Sequence, residues 1–223
     1  MKTQHKIALA VTVVATGMFF FTACQKEKND QATPATTQSS STDMKIHKLT
    51  FNSEGQLTNS VLVPIHQRSA NQESSSSALR PLMHSASGAF GAPNLTHGNL
   101  RYSFNVTDHG DGTFTGYATL RNNPSFDFEM TANCLQVVNG NDAVVVGQIT
   151  IVNNNGGAPE VFAVGNYILF RVTDNGEGNN ALPDLVYENL YYSTDPICGY
   201  DFFGLDWGAA LTVLSNTGNI QVR

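Results

Sequence analysis

From residue 101 onward the apolar side chains of this chain recur at alternate positions, and that period leaves little choice of fold. Tyr102, Phe104 and Val106 alternate with polar residues, as do Phe126, Phe128 and Met130. A helix would need a period near 3.6, whereas alternate positions form one face of a strand. Turn chemistry separates the runs. Asp108-His109-Gly110-Asp111-Gly112 divides residues 101–106 from 113–120, and Asn139-Gly140-Asn141-Asp142 divides 135–138 from 143–152. Asn-Gly between apolar runs supplies the two positive φ angles of a tight hairpin. Asn153-Asn154-Asn155-Gly156-Gly157 then breaks the chain before residues 161–172, whose β-branched and aromatic content predicts a central strand. Further strands are expected at 185–192, 209–214 and 219–222. Short strands with Gly, Asn and Asp between them predict an all-β domain over residues 85–223, an antiparallel β-sandwich or a small β-barrel.

The chain before that domain reads differently. Lys2 and Lys6 precede an apolar run over residues 7–23, and Phe21-Thr22-Ala23-Cys24 closes it. A basic start, a short hydrophobic run and small residues before the cut make a secretory signal. With cysteine next, the stretch resembles the lipobox of bacterial lipoproteins, with Phe21 in place of the usual Leu. The resemblance implies cleavage before Cys24 and a diacylglyceryl thioether, with palmitate-type chains, on its sulfur. Each buried methylene contributes about 0.8 kcal/mol, so two or more chains hold a protein to a bilayer without a spanning helix.

Residues 25–30, Gln-Lys-Glu-Lys-Asn-Asp, are either a solvated charge run or a tag resembling the one that sends some Gram-negative lipoproteins to the cell surface. Gln25 is not the Asp that retains enteric-type lipoproteins in the inner membrane, so the expected location is the bacterial outer membrane, on its periplasmic or cell-surface side. Residues 31–43 are Ala, Thr, Gln and Ser with one Pro and a closing Asp43, too apolar-poor to order, and predict a disordered tether reaching about 20 Å. Residues 45–52 and 57–65 read as a hairpin around Gly55, with Pro64 confining the second strand to an edge. The Ser-rich break at 69–77 suggests loose attachment, so 24–84 is assigned to lipidated N-terminus, linker and hairpin.

Charge excludes one class of partner. The formal net charge is −6 with 12 Lys and Arg; loss of Lys2 and Lys6 with the signal takes it to −8. Nucleic acids and anionic bilayers held by charge need clustered bases, which are absent here. Cys24 is consumed by lipid, which leaves Cys134 and Cys198 as an even pair in an oxidising compartment, either disulfide-bonded or two buried thiols.

A second resemblance rests on Cys134-Leu135-Gln136-Val137-Val138-Asn139-Gly140-Asn141-Asp142-Ala143, on Asp174-Asn175-Gly176-Glu177-Gly178 and on Pro183-Asp184. These are similar to a secreted bacterial β-domain with a Cys-Leu-x-Val-x-Gly-x-x-Ala hairpin. The likeness spans roughly residues 102–192 and implies fold and export, but no chemistry.

Three site readings remain. Asp174, Asn175, Glu177 and Asp184 offer three carboxylates and an amide oxygen within eleven residues, enough to surround Ca²⁺, or to make an ordinary strand-to-strand turn. Asp108 and Asp111 invite the same pair of readings. Tyr200 and Trp207, among Tyr191, Tyr192, Phe202 and Phe203, could form a glycan- or protein-binding patch or a core seam; adjacent Phe202 and Phe203 cannot share one face of a strand. Asp127, Glu129, Asp201 and Asp206 could supply a hydrolase pair, yet no nucleophile elbow, zinc-binding His-Glu-x-x-His or phosphate loop is present, and His97 and His109 are the only histidines in the domain. The expectation is therefore a non-catalytic binding or structural module of the cell envelope. A carbohydrate-active hydrolase and a carrier of a small apolar ligand are the alternatives.

Overall fold

A computed structural model describes residues 44–52, 54–68, 83–94, 98–123, 125–178, 181–213 and 219–223. The expected signal peptide, Cys24, the tether, the Ser-rich break and His97 lie outside the described residues. Twelve strands account for the fold. They are β1 (Met44–Phe51), β2 (Leu57–Ile65), β3 (His84–Asn94), β4 (Gly98–Asp108), β5 (Phe114–Asn122), β6 (Phe126–Val138), β7 (Asp142–Asn154), β8 (Tyr167–Thr173), β9 (Leu185–Tyr187), β10 (Leu190–Ser193), β11 (Ala210–Thr212) and β12 (Ile220–Val222). No helix occurs among the described residues, and the protein is all-β. The strands form one antiparallel sheet in the order β12-β3-β4-β5-β6-β7-β8-β10-β1-β2, with β9 and β11 branching from β8. Strand pairing does not close the sheet into a barrel. It curls instead, so that β12 approaches β8 and β11 approaches β3.

Curling encloses an inner core of Phe104, Leu120, Phe126, Phe128, Phe170, Val172 and their neighbours. Rings fill it: Phe162 lies 5.0 Å from Phe126 and 5.1 Å from Phe128, and Tyr102 lies 5.2 Å from Phe170. The middle strands are buried on the other face too. Ala143 and Val145 point inward while Val144 and Val146 point outward, and Ile168 and Leu169 divide in the same way. Apolar runs without alternation thus mark strands covered on both sides.

Local chemistry explains where the strands begin and break. Asn139 (φ 55°) and Gly140 (φ 74°) form the tight β6–β7 turn with Asn141 N–H bonded to the Val138 carbonyl, as Asn-Gly predicts. β6 runs unbroken through the gap expected after Met130, with bulges. The one between Ala132 and Cys134 changes the parity of the strand. Phe126, Phe128, Met130 and Ala132 face inward; after the bulge Cys134 faces outward and Leu135 inward.

Three expectations are corrected. The hairpin at 45–65 is not loosely attached: β1 pairs with β10, placing Leu49 and Phe51 in the inner core and Ile46 and Ile65 in the outer one. An isolated hairpin is marginal in water, and this one gains its stability by joining the sheet. The run at 161–172 is a strand only from Tyr167, because the Asn166 side chain donates to the Glu160 and Val161 carbonyls and holds Val161 and Phe162 in a buried loop. The 185–192 strand is interrupted at Glu188 and Asn189, where β9 turns to β11 and β10 to β1. β3 has no counterpart among the expected strands. Its small residues make room for rings, and a Cβ on Gly88 would sit 2.9 Å from the Phe104 ring opposite.

Candidate functional site

The acidic loop between β8 and β9 is where the strongest candidates from the sequence assemble. Asp184 is buried, and its carboxylate accepts from two backbone amides, Asn175 N–H at 2.9 Å and Ile220 N–H at 2.8 Å. Asp174 accepts from Gly176 N–H at 2.7 Å and Val222 N–H at 2.9 Å. Glu177 accepts from the side-chain amides of Asn219 and Gln221, and the Asn175 amide donates to the Pro183 carbonyl at 2.6 Å. All four residues therefore meet, but as a clasp. Two carboxylates take the outward amides of β12, the strand that would otherwise be a free edge opposite β8 and β9. Charged acceptors on backbone N–H groups are among the stronger hydrogen bonds. They close by side chains the seam that strand pairing leaves open.

The arrangement differs from a calcium loop, whose oxygens converge on one point. Among the described residues no three His, Cys, Asp or Glu side chains are grouped to hold a metal ion. Asp108 and Asp111 behave as turn residues: each accepts from the backbone N–H two residues on, at 2.8 and 2.9 Å. Hydrogen bonding from Thr113 holds the Asp111 carboxyl below the usual range. Beside the clasp lies an open recess of ≈ 340 Å³ lined by Glu177, Leu182, Pro183, Asp184, Val213 and Asn219. Its polar rim and exposed Leu182 suit contact with a ligand surface.

The late aromatic cluster turns out to be a second core. Residues 194–209 cross the outer face of the sheet as a strap. Ile197, Phe202 and Trp207 pack under it against Val144, Val146, Leu169 and Tyr191. Trp207 is only 3 % exposed and donates its indole N–H to the Phe202 carbonyl at 2.9 Å. The surface-patch reading of Trp207 is thereby corrected in favour of the core seam, since a ligand cannot reach a ring buried against Tyr191. Tyr200 is half-buried against the same cluster, and its carbonyl accepts from the Gln136 side chain. Phe202 is fully buried, whereas Phe203 lies partly open with its ring 5.2 Å from the Arg171 guanidinium. The two rings part as expected, but in the strap rather than on a strand, so strand parity is not the cause.

Strap and sheet are joined by a Cys134–Cys198 disulfide with Cα atoms 5.8 Å apart. Two residues further along β6, Gln136 bonds both the Tyr200 carbonyl and Phe202 N–H. On the other side Arg68 N–H donates to the Gly199 carbonyl, and Asp201 N–H to that of His66. Lys48 anchors the far end by pairing with Asp206. Sequence reasoning misses Gln136, although a lone amide in an apolar run is the available signal. It also misses the half-buried Arg171–Asp142 pair, with Tyr187 4.3 Å from the guanidinium.

Three of the four acids considered for a hydrolase pair have structural partners. Asp127 pairs with Arg121 at 2.7 Å, Asp201 accepts from Phe203 N–H at 3.0 Å, and Asp206 holds Lys48 and Gly208 N–H. Glu129 lies exposed on β6, and His109 contacts the Thr115 hydroxyl at 2.9 Å.

Two tyrosines give the domain a predicted alkaline limit. Burial lifts the phenols of Tyr102 and Tyr191 above their ordinary value, with the Asp206 charge adding to the shift of Tyr191. A pKa raised in the folded state favours folding below the unfolded value, near 10, and that contribution falls away at higher pH. The urea midpoint is therefore expected to drop above pH ~10, with these phenols ionising by ultraviolet absorbance only as the fold is lost. Full ionisation of all seven tyrosines in a still-folded protein would contradict this.

No family model, no curated protein and no solved structure matches the chain.

Proposed function

We propose that this chain is a lipid-anchored bacterial outer-membrane lipoprotein whose β-domain is a non-catalytic binding module of the cell envelope. The anchor rests on the lipobox reading of Phe21-Thr22-Ala23-Cys24, and residues 25–43 serve as the tether. One observation supports the module reading above the others. The carboxylates that looked most like a site are held by backbone amides in the clasp, beside a recess that offers hydrogen-bonding edges and an exposed Leu182. A rigid frame with a polar recess suits recognition of a glycan or a protein segment. The hydrolase alternative draws less support, because Asp127, Asp201 and Asp206 are each committed to a structural partner. The carrier alternative is disfavoured by the ring-filled interior.

A glycan, peptidoglycan and peptide array probed with the purified protein, with turnover monitored, tests this reading. Saturable binding that Glu177→Ala or Asn219→Ala weakens at least about fivefold, the loss of one hydrogen bond, is expected. Release of product from any glycan would sink the non-catalytic assignment. The anchor is tested separately: Cys24→Ser is expected to abolish acyl labelling and accumulate the uncleaved precursor. Normal maturation of that variant would refute lipidation.

A further inference from the structure

The two ends of the sheet are treated differently. At β12 the outward amides of Ile220 and Val222 are taken by Asp184 and Asp174. At β2 no strand among the described residues pairs with the outer edge. β2 is nine residues long and carries no ionisable side chain, and Val61 and Leu62 are 47 % and 54 % exposed. Edges of this kind are templates for another strand, and proteins usually blunt them with charge. Ser60 marks which residues point outward, because its N–H donates to the Asn59 side chain at 2.8 Å rather than being left to a neighbouring strand. Thr58, Leu62 and Pro64 share that parity. Pro64 has no N–H to offer, which is why an edge tolerates it.

We propose that β2 pairs with β2 of a second copy of this chain, antiparallel about a two-fold axis through Val61. Self-complementarity carries the inference. In this register Ser60 faces the partner's Leu62: both offer a carbonyl, Leu62 offers its N–H, and the Ser60 N–H exchanges the Asn59 side chain for the partner, while Thr58 faces the partner's Pro64, so the missing donor falls at the ends. The charges around the strand complete it. The β1–β2 turn carries Glu54, and the other end carries Lys45 opposite Pro64, then His66 and Arg68. Antiparallel pairing brings the acidic end of one ribbon to the basic end of the other, and parallel pairing would set like charges together. Val61 and Leu62 of the two copies meet at the centre and leave water. The result is one sheet continuous across both molecules, an isologous interface.

Full-length protein carrying Val61→Cys, oxidised mildly in the membrane, tests the register directly, because the two position-61 side chains lie side by side at the axis. Leu182→Cys, more exposed at 72 % and remote from β2, is the control, so accessibility alone would favour its crosslink. A disulfide-linked homodimer at least about tenfold more abundant for V61C than for L182C is expected, since pairing raises the local thiol concentration to the millimolar range. Adding Leu62→Lys, which puts edge charge on the half-exposed strand, should abolish the crosslink while Trp207 emission stays native. Equal crosslinking of V61C and L182C, or a V61C adduct to a different protein, would overturn the pairing. So would an unmodified protein that is monomeric by light scattering in detergent at every concentration.

Discussion

Replacing Asp184 with alanine is expected to lower the unfolding free energy by about 3–5 kcal/mol, more than any other single acid among the described residues. Its carboxylate satisfies the buried amide of Ile220 and the amide of Asn175. Hydrogen bonds to a charged group contribute about 1.5–3 kcal/mol each, and a buried donor left alone adds its desolvation cost. The loss falls on β12, which is only three residues long and is held by β3 on one side and by these carboxylates on the other. Asp184→Asn keeps one acceptor and turns an NH₂ toward the second amide, so it should fall between wild type and alanine. Asp174→Ala removes the weaker half of the clasp, nearer solvent, and is expected to lose about 1–2 kcal/mol. Urea unfolding measures the totals, and amide exchange at Ile220 and Val222 locates them. An Asp184→Ala protein within about 1 kcal/mol of wild type would show that the clasp is ornamental.

That clasp also marks what a sequence can and cannot disclose. Asn139-Gly140 was legible because every atom deciding the turn lies within four residues. Alternation at 102–106 and 126–130 was legible because one buried face imposes it. Asp174 and Asp184 looked like a turn or a cation loop because only their neighbours were in view. Their deciding partners, Val222 and Ile220, are 48 and 36 residues away. β3 escaped notice for the opposite reason: Ala86, Gly88 and Ala89 lack strand propensity, and it is the Phe104 and Tyr102 rings of β4 that make them a strand. Trp207 was ambiguous because aromatic clusters serve cores and binding patches alike. Only the strap, placed by the sheet beneath it, decides for the core. The outward turn of Cys134 depends on a bulge that alternation alone would have placed on the inner face.

Loss of the Cys134–Cys198 bond is expected to cost about 4 kcal/mol, the chain-entropy value for closing a loop of this length, and about 10 °C of melting temperature. Cys198→Ser isolates that effect, because Cys198 is exposed and its replacement opens no cavity. Cys134→Ser should cost more, since it also leaves a hydroxyl in the buried outer core. The strap does not fall away at once. Gln136 still bonds Tyr200 and Phe202, and Lys48 still holds Asp206. What changes is the order of events. With the bond intact the strap and sheet unfold together; without it the strap can lift while the ring-filled inner core persists. The chain has a single tryptophan, and it lies under the strap, so its emission reports this step alone. In Cys198→Ser the Trp207 red shift is expected to precede the loss of strand signal in circular dichroism, whereas in the oxidised wild type the two coincide. Coincident transitions and an unchanged melting temperature in the variant would mean that packing of Phe202, Trp207 and Ile197 holds the strap without the disulfide.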